Sequence, residues 1–143
     1  MLVKQRMSRH PITVTPETSL PDALETMRRE KVRRLPVLDK QGKLVGIVLE
    51  KDLLYASPSP ATSLSVHELN YLVAKIKIKD LMTTNVITCP EDTPLEEAAR
   101  MMVDNHISGL PVMRGNTLVG MITESDLFKV FLELLGARAW GLR

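Results

Sequence analysis

The sequence is built from two copies of one pattern. Four pieces of the first copy return in the second: residues 7–13 as 82–88, 35–37 as 110–112, 44–46 as 118–120, and 52–53 as 126–127. The spacing is 75 positions for the first two pairs and 74 for the last two, so the second copy lacks one residue. Because the matches keep one register across the whole unit, we interpret the chain as a duplicated structural unit.

Each copy is predicted to fold as a strand, a helix, two strands and a second helix. Ile12 and Val14 alternate as in a short strand, as do Ile87 and Cys89 in the second copy. Residues 35–38 and 44–49 are predicted strands on either side of a turn. A unit of about 50 residues buries too little core alone. We therefore expect a mixed α/β (α+β) fold in which two units pack about a pseudo-two-fold axis, with paired clefts at their seam.

Helix starts are marked by capping patterns. In the second copy, Thr93 is the predicted cap, Pro94 suits the first helical position, and Glu96 closes the capping box. Residues 19–22 are a weaker counterpart in the first copy. Residues 65–68 form another capping box, which starts a helix between the copies.

These patterns predict four segments along the chain. Residues 1–56 are the first unit, 57–76 a Ser/Pro-rich loop with the connecting helix, 77–136 the second unit, and 137–143 a tail. The tail ends without a helix stop signal, as a fragment of a longer protein would before a further domain.

Composition excludes several classes of function. Lys plus Arg is 19 and Asp plus Glu is 17, a balance that argues against nucleic-acid coating or a polybasic membrane tether. One cysteine excludes an intramolecular disulfide and any cysteine-built metal site. No apolar run approaches the roughly 20 residues of a membrane helix, and no secretory signal opens the sequence. We therefore expect a cytoplasmic protein with no membrane partner.

Catalysis by this chain is not indicated. His10, His67 and His106 lack the spacing of metal ligands, and the sequence has no nucleophile elbow, phosphate loop or dinucleotide fingerprint. Cys89 falls in a predicted core strand, where cysteine is usually inert. We predict no catalytic residues, no metal site and no enzyme activity.

The repeated pattern resembles a pair of CBS domains, the Bateman module. The resemblance rests on two copies of Leu-Pro-Val, a later Val-Gly and a closing Asp-Leu, in the same order. Residues 55–60 and 131–136 are similar to acetoin-utilisation-type CBS proteins, in which a C-terminal ACT domain often follows. The resemblance implies a module that binds an adenosine-containing ligand at the seam, usually forms a homodimer, and transmits binding to an attached or partner protein.

The resemblance implies a ribose site in the second copy. The family signature Gly-x-x-Ser/Thr-x-x-Asp is present as residues 120–126, in which Thr123 and Asp126 supply polar groups and Met121 lines the same pocket. Asp126 and its counterpart Asp52 are also expected to open the closing helices. Thr-x-x-Asp at a helix start is close to a capping box, and capping is compatible with ligand contact.

The first copy departs from this signature. It keeps Gly46 and Asp52 but has Leu49 where the ribose-binding hydroxyl belongs. We therefore expect asymmetry, with the Thr123/Asp126 cleft being the better nucleoside site and Asp52 a weaker candidate.

The first copy carries cations suited to phosphate. Arg33 and Arg34 directly precede Leu-Pro-Val, where the family often has basic phosphate ligands, and Lys51 is a third candidate. Residues 106–109 of the second copy include no arginine. The resemblance implies that Arg33 and Arg34 reach a nucleotide anchored at Asp126. The alternative is that these cations form a solvated basic surface.

Apolar residues of both copies are expected to form the base pocket, with adenine edges contacted by backbone groups. The family's arrangement implies that Ile12 and Val32 serve the second-copy cleft together with Met121, whereas Ile87 and Ile107 serve the other cleft. An ordinary place in the core is the alternative for each of them.

The sequence therefore predicts a regulatory module that senses AMP, ADP, ATP or S-adenosylmethionine, requires no cofactor, and responds by a population shift. Two alternatives stay open. Leu49 and the missing second-copy arginines favour a ligand-free structural dimerisation module. The basic cluster from Arg28 to Arg34 favours nucleic-acid binding, although the small net charge argues against it.

Overall fold

The computed structural model describes residues 1–58 and 64–140, the last four without their side chains. Much of the predicted Ser/Pro-rich loop and the end of the predicted tail lie outside the described residues. The helices are α1 (Leu20–Glu30), α2 (Glu50–Ala56), α3 (Val66–Ala74), α4 (Leu95–Asn105) and α5 (Glu124–Trp140). The strands are β1 (Ser8–Arg9), β2 (Arg34–Leu38), β3 (Leu44–Leu49), β4 (Cys89–Pro90), β5 (Gly109–Arg114) and β6 (Thr117–Thr123).

The chain divides into two compact units that do not follow the sequence order. The central unit is Ile12–Val86, and the terminal unit combines Met1–Pro11 with Ile87–Arg143. We call residues 1–11 the N-terminal arm and residues 77–86 the linker arm. The sequence repeat assigns each arm to the copy that follows it, whereas the contacts place each arm in the other unit. Both units combine helices with paired strands, and the predicted α/β class is confirmed.

The terminal unit is built on a four-stranded sheet with the order β1-β6-β5-β4. β5 and β6 are antiparallel, β4 adds in parallel to β5, and β1 of the N-terminal arm adds antiparallel to β6. The edge strand next to β6 is therefore supplied by a segment more than 100 positions away in the sequence.

The central unit repeats this arrangement with shorter strand contacts. β2 and β3 form an antiparallel pair. Val14 bridges Val37 in parallel and Thr83 bridges Ile47 in antiparallel sense, in the places that β4 and β1 take in the terminal unit. The predicted strand at Ile12 and Val14 is reduced to that single bridge.

Two predicted helix caps are confirmed. The Ser19 hydroxyl oxygen accepts a hydrogen bond from the backbone N–H of Asp22 at 3.3 Å, at the start of α1. The Ser65 hydroxyl oxygen accepts one from the backbone N–H of Glu68 at 3.2 Å, at the start of α3. Each bond satisfies a helix-start amide that has no partner inside the helix.

The predicted cap of α4 is wrong. Pro94, rather than Thr93, occupies the cap position, and no side chain makes a cap hydrogen bond there. The Thr93 side chain is buried instead of capping the helix. The closing helices also start two residues before the predicted aspartates, at Glu50 and Glu124.

Each unit has its own aliphatic core. The fully buried core residues of the central unit are Ala23, Leu35, Val37, Val48, Leu53 and Ile78. Those of the terminal unit are Val3, Cys89, Ala98, Leu110, Val112 and Ile122. Both lists include an arm residue, Ile78 or Val3, so each arm is part of the core that it joins. Among the described helices, none is both long and apolar enough to cross a membrane.

Each arm passes closely over a glycine of the strand it joins. A Cβ at Gly120 of β6 would lie 2.5 Å from Met7 Sδ and 2.8 Å from the Ser8 carbonyl oxygen. A Cβ at Gly46 of β3 would lie 3.1 Å from the Thr83 carbonyl oxygen. A methionine side chain can rotate away, but a paired backbone carbonyl cannot, so the close approach at Gly120 requires glycine.

We expect Gly120→Ala to lower the free energy of unfolding by about 1–3 kcal/mol, because the added methyl group must displace the arm backbone. Gly46→Ala should have a smaller effect, because the carbonyl oxygen above it is farther away, at 3.1 Å. Urea unfolding followed by circular dichroism measures both. A Gly120→Ala chain as stable as the parent would show that the arm does not need this approach.

Candidate ligand site

The junction of β6 and α5 has the most constrained polar geometry among the predicted site residues. Thr123 ends β6, and Asp126 lies in the first turn of α5. Asp126 Oδ2 accepts hydrogen bonds from the Thr123 backbone N–H at 2.9 Å and from the Thr123 hydroxyl at 3.2 Å. The other oxygen, Oδ1, accepts none from the part of the chain that the structure describes. The carboxylate is therefore held in one orientation with one oxygen left for a ligand.

The face of β6 next to this carboxylate is set by strand alternation. Ile122 is fully buried in the core, so Met121 and Thr123 lie on the opposite face. Ser8 of the N-terminal arm pairs directly with Met121. Met121 therefore shares a face with Thr123, as a common pocket would require.

The segment before β5 lies next to the same helix start. Gly109 pairs with Thr123, and the Ser108 carbonyl accepts a hydrogen bond from the Glu124 backbone N–H at 2.9 Å. Ile107 is half-buried against the terminal core. The terminal unit thus brings Ile107 close in the backbone to the Thr123/Asp126 junction.

The junction of β3 and α2 is the equivalent place in the central unit. Arg34 pairs with Leu49, and the Arg33 carbonyl accepts a hydrogen bond from the Glu50 backbone N–H at 2.8 Å. Lys51 and Asp52, the other two candidate residues of the first copy, lie in the first turn of α2. The structure therefore groups the following first-copy candidates at one junction: Arg33, Arg34, Lys51 and Asp52.

The two junctions differ in the way the sequence indicated. Leu49 occupies the cap position of α2 and has no side-chain cap hydrogen bond. In the described part of the chain, the Asp52 carboxylate makes no counterpart to the two Thr123–Asp126 bonds. Asp52 is therefore not oriented as Asp126 is.

Local ion pairs neutralise part of the basic cluster. Arg28 donates to Glu25 at 2.6 Å, and this hydrogen bond lowers the pKa of the Glu25 carboxyl. Arg29 lies 3.4 Å from Glu30. By contrast, Arg33 is exposed, and no described residue forms an ion pair with it. The cluster is therefore less positive than its sequence suggests, which weakens the nucleic-acid alternative.

The predicted base-pocket residues are divided between the two units. Ile12 and Val32 are half-buried against the central core. Met121 is buried in the terminal unit, and Ile87 is 37% exposed there. The exposed fraction of Ile87 shows that its packing within its own unit is incomplete.

Sequence reasoning missed the pairing of Ser8 with β6 and the close approach of the N-terminal arm to Gly120. Gly120 admits the N-terminal arm, and Ser8 of that arm pairs beside Met121. The repeat of Met-Ser at residues 7–8 as Met-Thr at 82–83 carried the signal. A repeated motif does not say which strand it pairs with, so its role became visible only with the fold.

Cys89 has no features of a nucleophile. It is fully buried, and burial raises the pKa of its thiol, an effect that the Thr93 hydrogen bond partly opposes. A raised pKa keeps the side chain in the unreactive thiol form at neutral pH. Among the described residues, no cluster of three His, Cys, Asp or Glu side chains suits a metal ion.

We expect Cys89 to react with Ellman's reagent much more slowly in the folded chain than in the chain unfolded by urea, because the thiol is buried. Because folding raises the pKa of the Cys89 thiol, the contribution of Cys89 to the free energy of unfolding is complete at pH values below the pKa of this thiol in the unfolded chain. That contribution is lost as pH rises through the folded pKa. Rapid labelling of the folded chain at neutral pH would contradict this burial.

These features define a class of protein: two units of one topology, each with a strand–helix junction that carries Gly-x-x-x-x-x-Asp. The chain belongs to the CBS domain family, which it matches over residues 3–59 and 78–133. The predicted tandem pair of CBS domains is confirmed.

Solved structures of CBS pairs share this fold. The CBS domain pair of protein MJ0100, in complex with 5′-methylthioadenosine and S-adenosyl-L-methionine, is 32% identical with a TM-score of 0.76, over 92% of this chain and 95% of its own. CBSX2 of Arabidopsis thaliana, in complex with AMP, is 32% identical with a TM-score of 0.74, over 93% of this chain and 97% of its own. A candidate acetoin utilization protein from Vibrio cholerae is 32% identical with a TM-score of 0.78, over 96% and 95%.

Proposed function

We propose that this chain is a regulatory module that binds an adenosine-containing ligand at the junction of β6 and α5. The ligand class is AMP, ADP, ATP or S-adenosylmethionine. The observation that carries the proposal is the orientation of Asp126 by two hydrogen bonds from Thr123. A ribose offers two adjacent hydroxyl donors, and a fixed carboxylate with a free oxygen accepts from such donors. The ligands in the structures of MJ0100 and CBSX2 support this class.

The base is proposed to lie against apolar side chains. Met121 shares the β6 face of Thr123 and supports this role in the terminal unit. Ile12 and Val32 of the central unit are proposed to contribute to the same cleft, and Ile87 and Ile107 to the other. Their partial exposure supports the proposal, because a side chain that closes a cleft keeps one side open to the ligand.

The phosphates are proposed to meet Arg33, Arg34 and Lys51. Arg33 and Lys51 are exposed, and their charges are not neutralised by ion pairs with described residues. Asp52 is proposed as a weaker ribose contact, because Leu49 supplies no hydroxyl at the start of α2. This division predicts unequal affinity at the two junctions.

Regulation then follows from linkage rather than from catalysis. A ligand that binds one arrangement of the two units better than another shifts their population by its difference in affinity. We propose that this module acts in the cytoplasm. The receiver of the shift is proposed to be a partner protein or an attached domain, for example an ACT domain.

We also propose that the chain forms a homodimer through α5. Phe128, Phe131, Leu132 and Leu135 are exposed on α5 at the spacing i, i+3, i+4 and i+7. This spacing makes one apolar stripe along the helix, and such a stripe is typical of a helix–helix interface. We call it the α5 stripe. The mass of the chain in solution, measured by light scattering, tests the dimer.

The ribose contact predicts the response of thermal unfolding to ligands. A ligand at 100 times its dissociation constant stabilises the folded chain by about 2.7 kcal/mol, which raises Tm by about 5–10 °C for a chain of this size. We expect such a shift with at least one of AMP, ADP, ATP or S-adenosylmethionine, and we expect Asp126→Ala to abolish it.

Asp52→Ala is the matched control, because it removes the equivalent carboxylate from the central unit. It should leave most of the shift in place. A shift that survives Asp126→Ala would contradict the ribose assignment. No shift with any of these ligands would favour the ligand-free dimerisation module.

The phosphate contact predicts a dependence on ligand charge. Replacing Arg33 and Arg34 together by alanine should weaken ATP or AMP binding at least tenfold and adenosine binding much less, because each charge-assisted hydrogen bond contributes about 1.5–3 kcal/mol. Isothermal titration calorimetry measures both affinities.

The control replaces Arg28 and Arg29 by alanine. This variant removes the same formal charge, but from side chains that already have carboxylate partners on α1. It should change nucleotide affinity little. Equal losses for ATP and adenosine in the Arg33/Arg34 variant would refute a phosphate role.

A further inference from the structure

The N-terminal arm and the linker arm dock on their units by the same backbone contacts. The Val3 N–H donates to the Thr93 carbonyl at 2.8 Å, and the Ile78 N–H donates to the Thr18 carbonyl at 2.9 Å. Val3 and Ile78 are both fully buried. The two arms are therefore equivalent elements, each of which pairs with a strand of its unit and adds a residue to the core of that unit.

The polar contacts of the arms are also equivalent. Lys4 pairs with Asp92 at 2.7 Å, and Lys79, at the equivalent place in the linker arm, pairs with Glu17 at 3.2 Å. One further contact belongs to the N-terminal arm alone. Arg6 makes two parallel bonds to Glu133 of α5, at 2.9 and 2.7 Å, and the linker arm has Leu81 at that position. This ion pair is an additional contact between the N-terminal arm and the terminal unit.

The N-terminal arm is held on its own unit by non-covalent contacts only. Between Pro11 and Ile87 the chain runs through the entire central unit. The N-terminal arm is therefore joined covalently to the rest of the terminal unit only through the 75 residues of the central unit. An identical arm from a second copy would make identical contacts, and the balance between the two depends on protein concentration.

The hinge of the N-terminal arm is strained. His10 has φ of 55°, in the left-handed region, and the next residue is Pro11. The left-handed conformation is unfavourable for residues other than glycine. The residue before a proline also prefers an extended backbone. Asn85, the equivalent residue of the linker arm, has no positive φ. An extended hinge at His10 would relieve this strain.

We propose that the N-terminal arm is exchangeable, and that two copies of this chain form a dimer in which each arm docks on the terminal unit of the other. Reciprocal exchange keeps every contact of the arm, because the terminal unit of the second copy has the same docking surface. It also allows the His10–Pro11 hinge to extend. Strained short hinges favour this type of exchange. The proposal is independent of ligand binding and of the α5 stripe.

The test is disulfide trapping between two singly substituted copies. Ser8 and Met121 are directly opposed across β1 and β6, at a separation that a disulfide can span. A Ser8→Cys copy and a Met121→Cys copy are mixed at high concentration, equilibrated and oxidised. The natural Cys89 is fully buried and does not compete. We expect a linked pair of chains on a non-reducing gel, with the Ser8–Met121 link identified by mass spectrometry.

Two controls separate exchange from other contacts. Ser8→Cys mixed with Glu96→Cys, an exposed position on α4, measures random collision and should give little product. The double variant Ser8→Cys/Met121→Cys should close within one chain at low concentration. A dimer through the α5 stripe leaves each arm on its own unit, so adding Leu132→Glu to both copies should leave the link in place.

The hinge variants give a second readout. His10→Gly removes the cost of the left-handed conformation and should lower the yield of the linked pair about fivefold, while Asn85→Gly should not change it. A yield no higher than the Glu96→Cys control would overturn the proposal. Failure of the double variant to close within one chain would also overturn it, because the docked arm would then not lie beside Met121.

Discussion

In both units, a segment from elsewhere in the chain passes close to a glycine of the strand that it joins and extends the strand pairing. A Cβ added at Gly120 would lie 2.8 Å from the Ser8 carbonyl oxygen, and a Cβ added at Gly46 would lie 3.1 Å from the Thr83 carbonyl oxygen. The buried Val3 and Ile78 then become part of cores that their own repeats do not contain. Neither repeat is a complete folding unit, because each lends its arm to the other.

The junction of β6 and α5 depends on the docking of the N-terminal arm on the terminal unit. β1 pairs with β6 at Met121, two residues before Thr123, so the N-terminal arm supports the strand end from which the Asp126 carboxylate is oriented. The central unit has the equivalent bridge between Thr83 and Ile47 but ends β3 in Leu49. One repeat thus keeps an oriented carboxylate and the other keeps the arginines.

The site residues differ in how far they could be predicted. Thr123, Met121 and Asp126 follow from the motif, because strand alternation and a helix start put such residues together locally. Thr93 was predicted wrongly, because α4 begins at Leu95, so that Pro94 takes the cap position, and the Thr93 side chain is buried. Ser8 could not be assigned from its neighbours, because its pairing partner Met121 is far away in the sequence.

The residues alone were sufficient for the duplication, the order of elements in each copy and the difference between Leu49 and Thr123. These features follow from local sequence patterns, and each pattern is seen in both copies because the repeat keeps a constant register. The tertiary structure decided which unit each arm joins and why residue 120 must be glycine. Those features arise from contacts between segments more than 35 positions apart, and local periodicity carries no information about such pairings.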